Sequence, residues 1–105
     1  MDPKEIIFSP EAEKAIKKLS KQDQKTVWGA IKKLRAGDGN LQVEKIKANP
    51  VFYRARVSNF RVIYYPLSQG RVVLLLIGDR KAIYRKIASL DQKLGTALKK
   101  LRVAD

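Results

Sequence analysis

Near Leu41 the hydrophobic period of this 105-residue chain changes. Apolar residues recur at three and four before that point and alternate after it, which asks for helices followed by a β-meander. Val43–Lys47 reads as a first strand of the meander, Asn49-Pro50 as a turn, and Val51–Val57 as a second strand. Ser58-Asn59 is a tight turn into Phe60–Tyr65, and the loop with Pro66, Ser68 and Gly70 leads to Arg71–Ile77. Alternation places Tyr53, Ala55 and Val57 on one face, with Arg54 and Arg56 on the other. On the next strand Arg61, Ile63 and Tyr65 oppose Phe60, Val62 and Tyr64. Arg71–Ile77 is apolar at almost every position, so it should be the central strand, covered on both faces.

The segment before Leu41 supplies the helices. Glu5–Phe8 reads as a short strand, and Ser9-Pro10-Glu11 is a helix start, with serine as N-cap and proline at the first helical position. Ala12, Ile16 and Leu19 mark one helix, ending near Ser20; Val27, Ile31 and Leu34 mark a second, starting near Asp23 and stopping at Gly37. Lys17, Lys18, Lys21, Lys25, Lys32 and Lys33 fall mostly on the outer faces of this hairpin, as a solvated surface. After Gly78 the helical period returns in Ile83, Ile87, Leu90, Leu94, Leu98 and Leu101, interrupted only by Gly95. The expected fold is α+β: an N-terminal helical hairpin on a small antiparallel sheet, plus a C-terminal helix, in one domain spanning residues 1–105.

Charge narrows the partners. Twenty-three basic residues against ten acidic give a net charge of +13, which favours a polyanion or an acidic protein. The chain has no cysteine and no histidine, so thiol chemistry, disulfides and imidazole general bases are excluded. Glu44, Asp79, Asp91 and Asp105 are too dispersed for a two-metal nuclease, and no phosphate-binding glycine loop is present. No signal peptide is visible and the longest apolar run, Val72–Ile77, is too short to span a bilayer, so a cytoplasmic protein without membrane contacts is expected.

What remains is metal-independent attack of an RNA 2′-hydroxyl on the adjacent phosphate. That chemistry needs cations around the pentacoordinate phosphorus and groups that accept and donate a proton. Arg54, Arg56, Arg61 and Arg80 can supply the charge through planar, bidentate forks. Tyr84, four residues after Arg80, reaches the same cleft if a helix starts between them. Phe52, Tyr64 and Tyr65 are candidates for base stacking, although strand aromatics more often belong to the core. Asp79 is either a proton-transfer group or a helix cap.

Tyr-Arg-x-Arg-Val…Phe-Arg-Val-Ile-Tyr (residues 53–64) followed by Asp-Arg-x-x-x-Tyr (79–84) resembles the RelE/ParE superfamily of toxins from type II toxin–antitoxin systems, over nearly the whole chain. The resemblance favours the RelE branch and implies a ribosome-dependent, cofactor-free mRNA endonuclease that inhibits translation. It implies that Arg61 contacts the scissile phosphate, that Arg80 is a second transition-state arginine, and that Tyr84 stacks on a base or assists proton transfer. Arg54 and Arg56 fall where RelE proper has two lysines, and many relatives carry histidine in place of Asp79. An arginine cannot act as general base, so Asp79, Tyr84, or the less well placed Lys45 and Lys47, would have to serve. Arg54, Arg56, Lys45 and Lys47 are expected to bind RNA. Implied partners are a cognate antitoxin, the ribosome and mRNA, with operator DNA bound only through the antitoxin. The resemblance leaves two alternatives: a ParE-like gyrase inhibitor that is no enzyme, and a catalytically weak member that binds RNA or antitoxin.

Overall fold

The structure is a computed structural model describing residues 5–47 and 49–101, with side chains up to Lys99. Asp105 therefore lies outside the described residues, as does the side chain of Leu101. In chain order the elements are β1 (Glu5–Phe8), α1 (Pro10–Lys17), α2 (Lys21–Ala36), β2 (Gln42–Ile46), β3 (Asn49–Val57), β4 (Phe60–Pro66), β5 (Arg71–Asp79), α3 (Arg80–Lys86), a 3₁₀ turn (Ile87–Ser89) and α4 (Leu90–Leu101). The strands form one sheet in the order β1-β5-β4-β3-β2. The β2–β5 meander is antiparallel as expected; β1 joins it in parallel beside β5, so the sheet is mixed. No helix of the described residues is long and apolar enough to cross a membrane.

Helices cover both faces of the sheet. On one face Ala12, Ile16, Val27, Ile31 and Leu34 of the hairpin pack against Ala55, Val62, Tyr64, Val72 and Leu74. On the other, Ile83, Leu90 and Ala97 of the C-terminal helices pack against Phe52, Ile63, Val73, Leu75 and Leu76. The terminal helix thus folds back on its own domain. Val72–Ile77 is buried at every position, as its composition required. It lies second in the sheet, however, with β4 at the centre.

One irregularity sets which residues face where. Ile63 pairs with Leu76 but Tyr64 pairs with Leu74, so β5 carries an extra residue, Leu75. Such a bulge puts two consecutive side chains on the same side. Leu75 and Leu76 accordingly both enter the C-terminal helical layer, while Leu74 and Ile77 enter the hairpin layer.

Several boundaries differ from the sequence reading. Ser20 ends no helix; its side chain accepts the Asp23 N–H (3.1 Å) and caps α2, which starts two residues earlier than Asp23. Gln24 Nε2 closes the corner by donating to the Ile16 and Leu19 carbonyls at 3.1 and 3.2 Å. Asn49-Pro50 is no turn but the start of β3, and the chain reverses between Ile46 and Asn49. Proline is tolerated there because the β4 ladder begins only at Tyr53. The C-terminal helix breaks at Ile87–Ser89 and not at Gly95, which sits inside α4 facing open space. Gly37 ends α2 as expected, in a left-handed conformation (φ 70°).

Ser9 ties the first helix to the sheet. Its hydroxyl accepts the Ala12 N–H at 3.0 Å and donates to the Leu75 carbonyl at 2.9 Å, so one buried side chain caps α1 and satisfies the bulged strand. Ser9→Ala should lower unfolding free energy by about 1–2 kcal/mol, the loss of a cap plus an orphaned carbonyl. Urea denaturation followed by circular dichroism measures it.

Candidate phosphate-binding cleft

A cleft of about 190 Å³ opens on the sheet face covered by the C-terminal helices, lined by Arg54, Arg56, Arg61, Arg80, Ile83, Tyr84 and Ile87. Three arginines reach it because alternation on β3 and β4 sends them to one side: Arg56 pairs directly with Arg61, and Arg54 with Ile63. Arg80 and Tyr84 arrive from α3, one helical turn apart as the sequence spacing required. Gly78 stands opposite Arg61 on β5, so no side chain crowds the guanidinium from that strand.

Arg61 is the most constrained of the group. It is 8% exposed, and its Nη1 donates to the carbonyls of Phe60 (2.9 Å) and Ser58 (3.3 Å). The Ser58-Asn59 turn therefore presents its own carbonyls to the arginine that follows it, with Ser58 at φ 53°. Burial, and then the neighbouring Arg56, Arg54 and Arg80 guanidiniums, push the Arg61 pKa below its ordinary value, with Glu44 opposing. The side chain stays cationic regardless. Like charges directly opposite on paired strands repel, so the cleft is strained electrostatically in a way that an anion relieves.

Among the described residues, one carboxylate is bonded to these arginines. Glu44 on β2 lies opposite Arg54 and accepts from its Nε at 3.1 Å and from its Nη2. The Arg54 hydrogen bond and charge, reinforced by Arg56 and Lys47, hold the Glu44 carboxyl below its usual range. In the sequence Glu44 is one of four dispersed acids, and nothing ties it to the arginines. The β2–β3 register brings it to them, and nothing in the residue order announces that register.

The other anticipated residues divide. Asp79 caps α3, its Oδ1 accepting the Ala82 N–H at 2.8 Å, so its side chain is committed to the helix start. Lys45 pairs with Tyr53 and alternation turns it to the hairpin side of the sheet, away from the arginines. Lys47 sits near enough to lower the Glu44 pKa but does not line the cleft. Tyr84 is 79% exposed at the cleft mouth. Phe52 and Tyr64 are core residues, and Tyr65 packs on Phe52 with ring centroids 5.5 Å apart. Phe52 and Tyr64 are thus closed to a base, because both faces of the sheet are covered, and the half-buried Tyr65 ring is engaged by Phe52. Tyr64, stacked on Tyr53, has its phenol pushed up to about 12 by burial.

Carboxyl titration by NMR should give Glu44 a midpoint below the ordinary glutamate value. Because that pKa is depressed on folding, the ion pair contributes above the ordinary range and is lost as pH falls through the lowered midpoint. In Arg54→Ala the Glu44 midpoint should return towards the ordinary value.

No family model and no curated protein matches the chain. Solved structures do. The chain is similar to a RelB–RelE antitoxin–toxin complex from Methanococcus jannaschii at 21% identity and TM-score 0.63, over 77% of this chain and 98% of that one. It matches the toxin–antitoxin complex RelBE2 from Mycobacterium tuberculosis at 20% identity and TM-score 0.64, over 74% and 99%. The isolated E. coli RelE toxin aligns at 16% identity and TM-score 0.61, over 82% and 96%. The alignments cover nearly all of each of these chains at TM-scores of 0.61 to 0.64: this chain has the fold of the RelE toxins.

Proposed function

We propose that this chain is the toxin of a toxin–antitoxin pair, and that it cleaves mRNA on the ribosome without a metal. The observation that carries the reading is the convergence of Arg54, Arg56, Arg61 and Arg80 with Tyr84 on one small cleft. A solvated basic face would not need a buried arginine pinned by two turn carbonyls. A site for a phosphodiester would.

In this reading the 2′-hydroxyl oxygen attacks phosphorus and the bond to the 5′ oxygen breaks. The products are a 2′,3′-cyclic phosphate and a 5′-hydroxyl. Arg61 and Arg80 take the non-bridging oxygens, whose charge grows in the transition state, so their contribution is to rate more than to affinity. Tyr84 stacks on a neighbouring base or delivers the proton to the leaving oxygen. Arg54, Arg56 and Lys47 hold flanking phosphates. The proton from the 2′-hydroxyl goes to a carboxylate, with Glu44 and Asp79 the two beside the arginines. Glu44 is a weak base through its lowered pKa, and Asp79 is held by its capping bond. A modest turnover follows.

An acidic, partly apolar antitoxin segment would neutralise the cationic cleft and prevent ribosome entry. Any contact with operator DNA is assigned to the antitoxin. The cytoplasm is where both ribosome and antitoxin would be met.

Inducing the protein and mapping mRNA 5′ ends, with plasmid supercoiling followed in parallel, tests the assignment. Codon-phased cuts are expected, reduced about 10²-fold or more in Arg61→Ala, and reduced in Tyr84→Phe if the phenol moves the proton. Altered supercoiling with intact mRNA would replace this reading with gyrase inhibition. Antitoxin binding with neither effect would leave a toxin fold without efficient cleavage.

A further inference from the structure

The face of the protein turned away from the arginine cleft carries its own pattern. Lys21, Lys25, Trp28, Lys32 and Arg35 follow one another on α2 at intervals of four, three, four and three, which places them in one stripe along the outer side of the helix. All four cations are exposed, and none forms an ion pair with a carboxylate among the described residues. At the centre is the only tryptophan of the chain. Its ring meets Phe8 edge-on, with centroids 5.5 Å apart and planes at 61°, and 40% of the residue remains exposed.

The ground on both sides of the indole is open. A depression of about 390 Å³ is lined by Lys21, Gln24, Lys25, Gly29 and Lys32 with Trp28, and no side chain at Gly29 closes it. A second, of about 500 Å³, runs between Trp28 and β1, where Glu5 is its one acid beside Lys32 and Arg35. The stripe is about 21 Å long at the rise of an α-helix, a span of several nucleotides. A docking peptide helix would need apolar anchors at successive turns, and this stripe offers one aromatic between cations. Cations on both sides of one exposed aromatic match the phosphates on both sides of a stacked base in an unpaired strand.

We propose that this stripe is a second nucleic-acid contact: Trp28 stacks on an unpaired base while Lys21, Lys25, Lys32 and Arg35 hold the phosphates on either side. The hairpin layer and the C-terminal layer lie on opposite faces of the sheet, so the stripe and the cleft engage separate stretches of nucleic acid. The contact does not depend on whether the cleft cuts RNA.

Because Trp28 is the sole tryptophan, its fluorescence reports the stripe directly. Short oligodeoxyadenylate, which lacks the 2′-hydroxyl needed for cleavage, should quench it saturably. The quenching should persist in Arg61→Ala/Arg80→Ala. Heparin, a polyanion without bases, should bind without comparable quenching. Lys25→Glu/Lys32→Glu, checked for native circular dichroism, should weaken oligonucleotide binding at the stripe about tenfold, steeply dependent on salt. The proposal is overturned if oligodeoxyadenylate leaves the fluorescence unchanged, or if the Arg61/Arg80 pair abolishes quenching while the Lys25/Lys32 pair does not. Equal quenching by polyglutamate would also overturn it, assigning the surface to an acidic protein.

Discussion

The rest of this structure depends on burying β5 on both sides. Six consecutive residues, Val72 to Ile77, are at most 7% exposed, which a sheet with one wet face cannot provide. The chain must place a helical layer on each side, and at this length it does so with one hairpin before the meander and one helical tail after it. The hydrophobic effect thereby dictates the three-layer order more firmly than local helix preference does, since α3 and α4 are short and Gly95 lies within the latter. Ser9, inserted between layers, supplies the polar complement by capping α1 and bonding the Leu75 carbonyl.

The cleft takes advantage of that burial. Arg61 is fixed by two carbonyls and surrounded by Arg54, Arg56 and Arg80, with Glu44 bonded to Arg54 alone. A cation that is buried and pinned, as Arg61 is, attracts an anion more strongly than a mobile surface lysine does, because neither side-chain ordering nor full solvation has to be given up on binding. The same arrangement explains why the site is richer in charge than in bases: arginine tolerates crowding by staying protonated, and Glu44, bonded to Arg54, is acidified.

The sequence reveals the strand alternation, the Ser9 cap, the Gly37 stop and the convergence of Arg80 with Tyr84, because each rests on local geometry with a fixed period. It conceals what depends on register and on long-range partners. Glu44 reaches Arg54 only through the β2–β3 pairing, and Lys45 misses the cleft for the same reason. Asn49-Pro50 has a turn-like composition, yet strand β3 starts there because its β4 ladder has not begun. Ser20 has the chemistry of both a helix end and a helix cap, and only the tertiary corner closed by Gln24 decides between them. Tyr64 and Phe52 carry rings suited to a base, but two helical layers cover them.

The extra residue in β5 has a consequence for how such a chain tolerates change. It works as a half-period phase shifter. Downstream of Leu75, the side of the sheet on which a residue emerges is determined by a count of positions, not by any single contact. Drawing the strand into regular alternation with every residue kept would deliver Ile77 to the C-terminal layer and carry Gly78 out from beneath Arg61. The composition of this strand is therefore forgiving, since any apolar side chain of similar size serves, but its length away from the bulge is not. Substitutions would be expected to accumulate along Val72–Ile77, whereas insertions and deletions would have to fall in the Ser68–Gly70 turn, where the phase can be reset before the strand begins, or at the bulge, where losing the extra residue keeps the downstream phase.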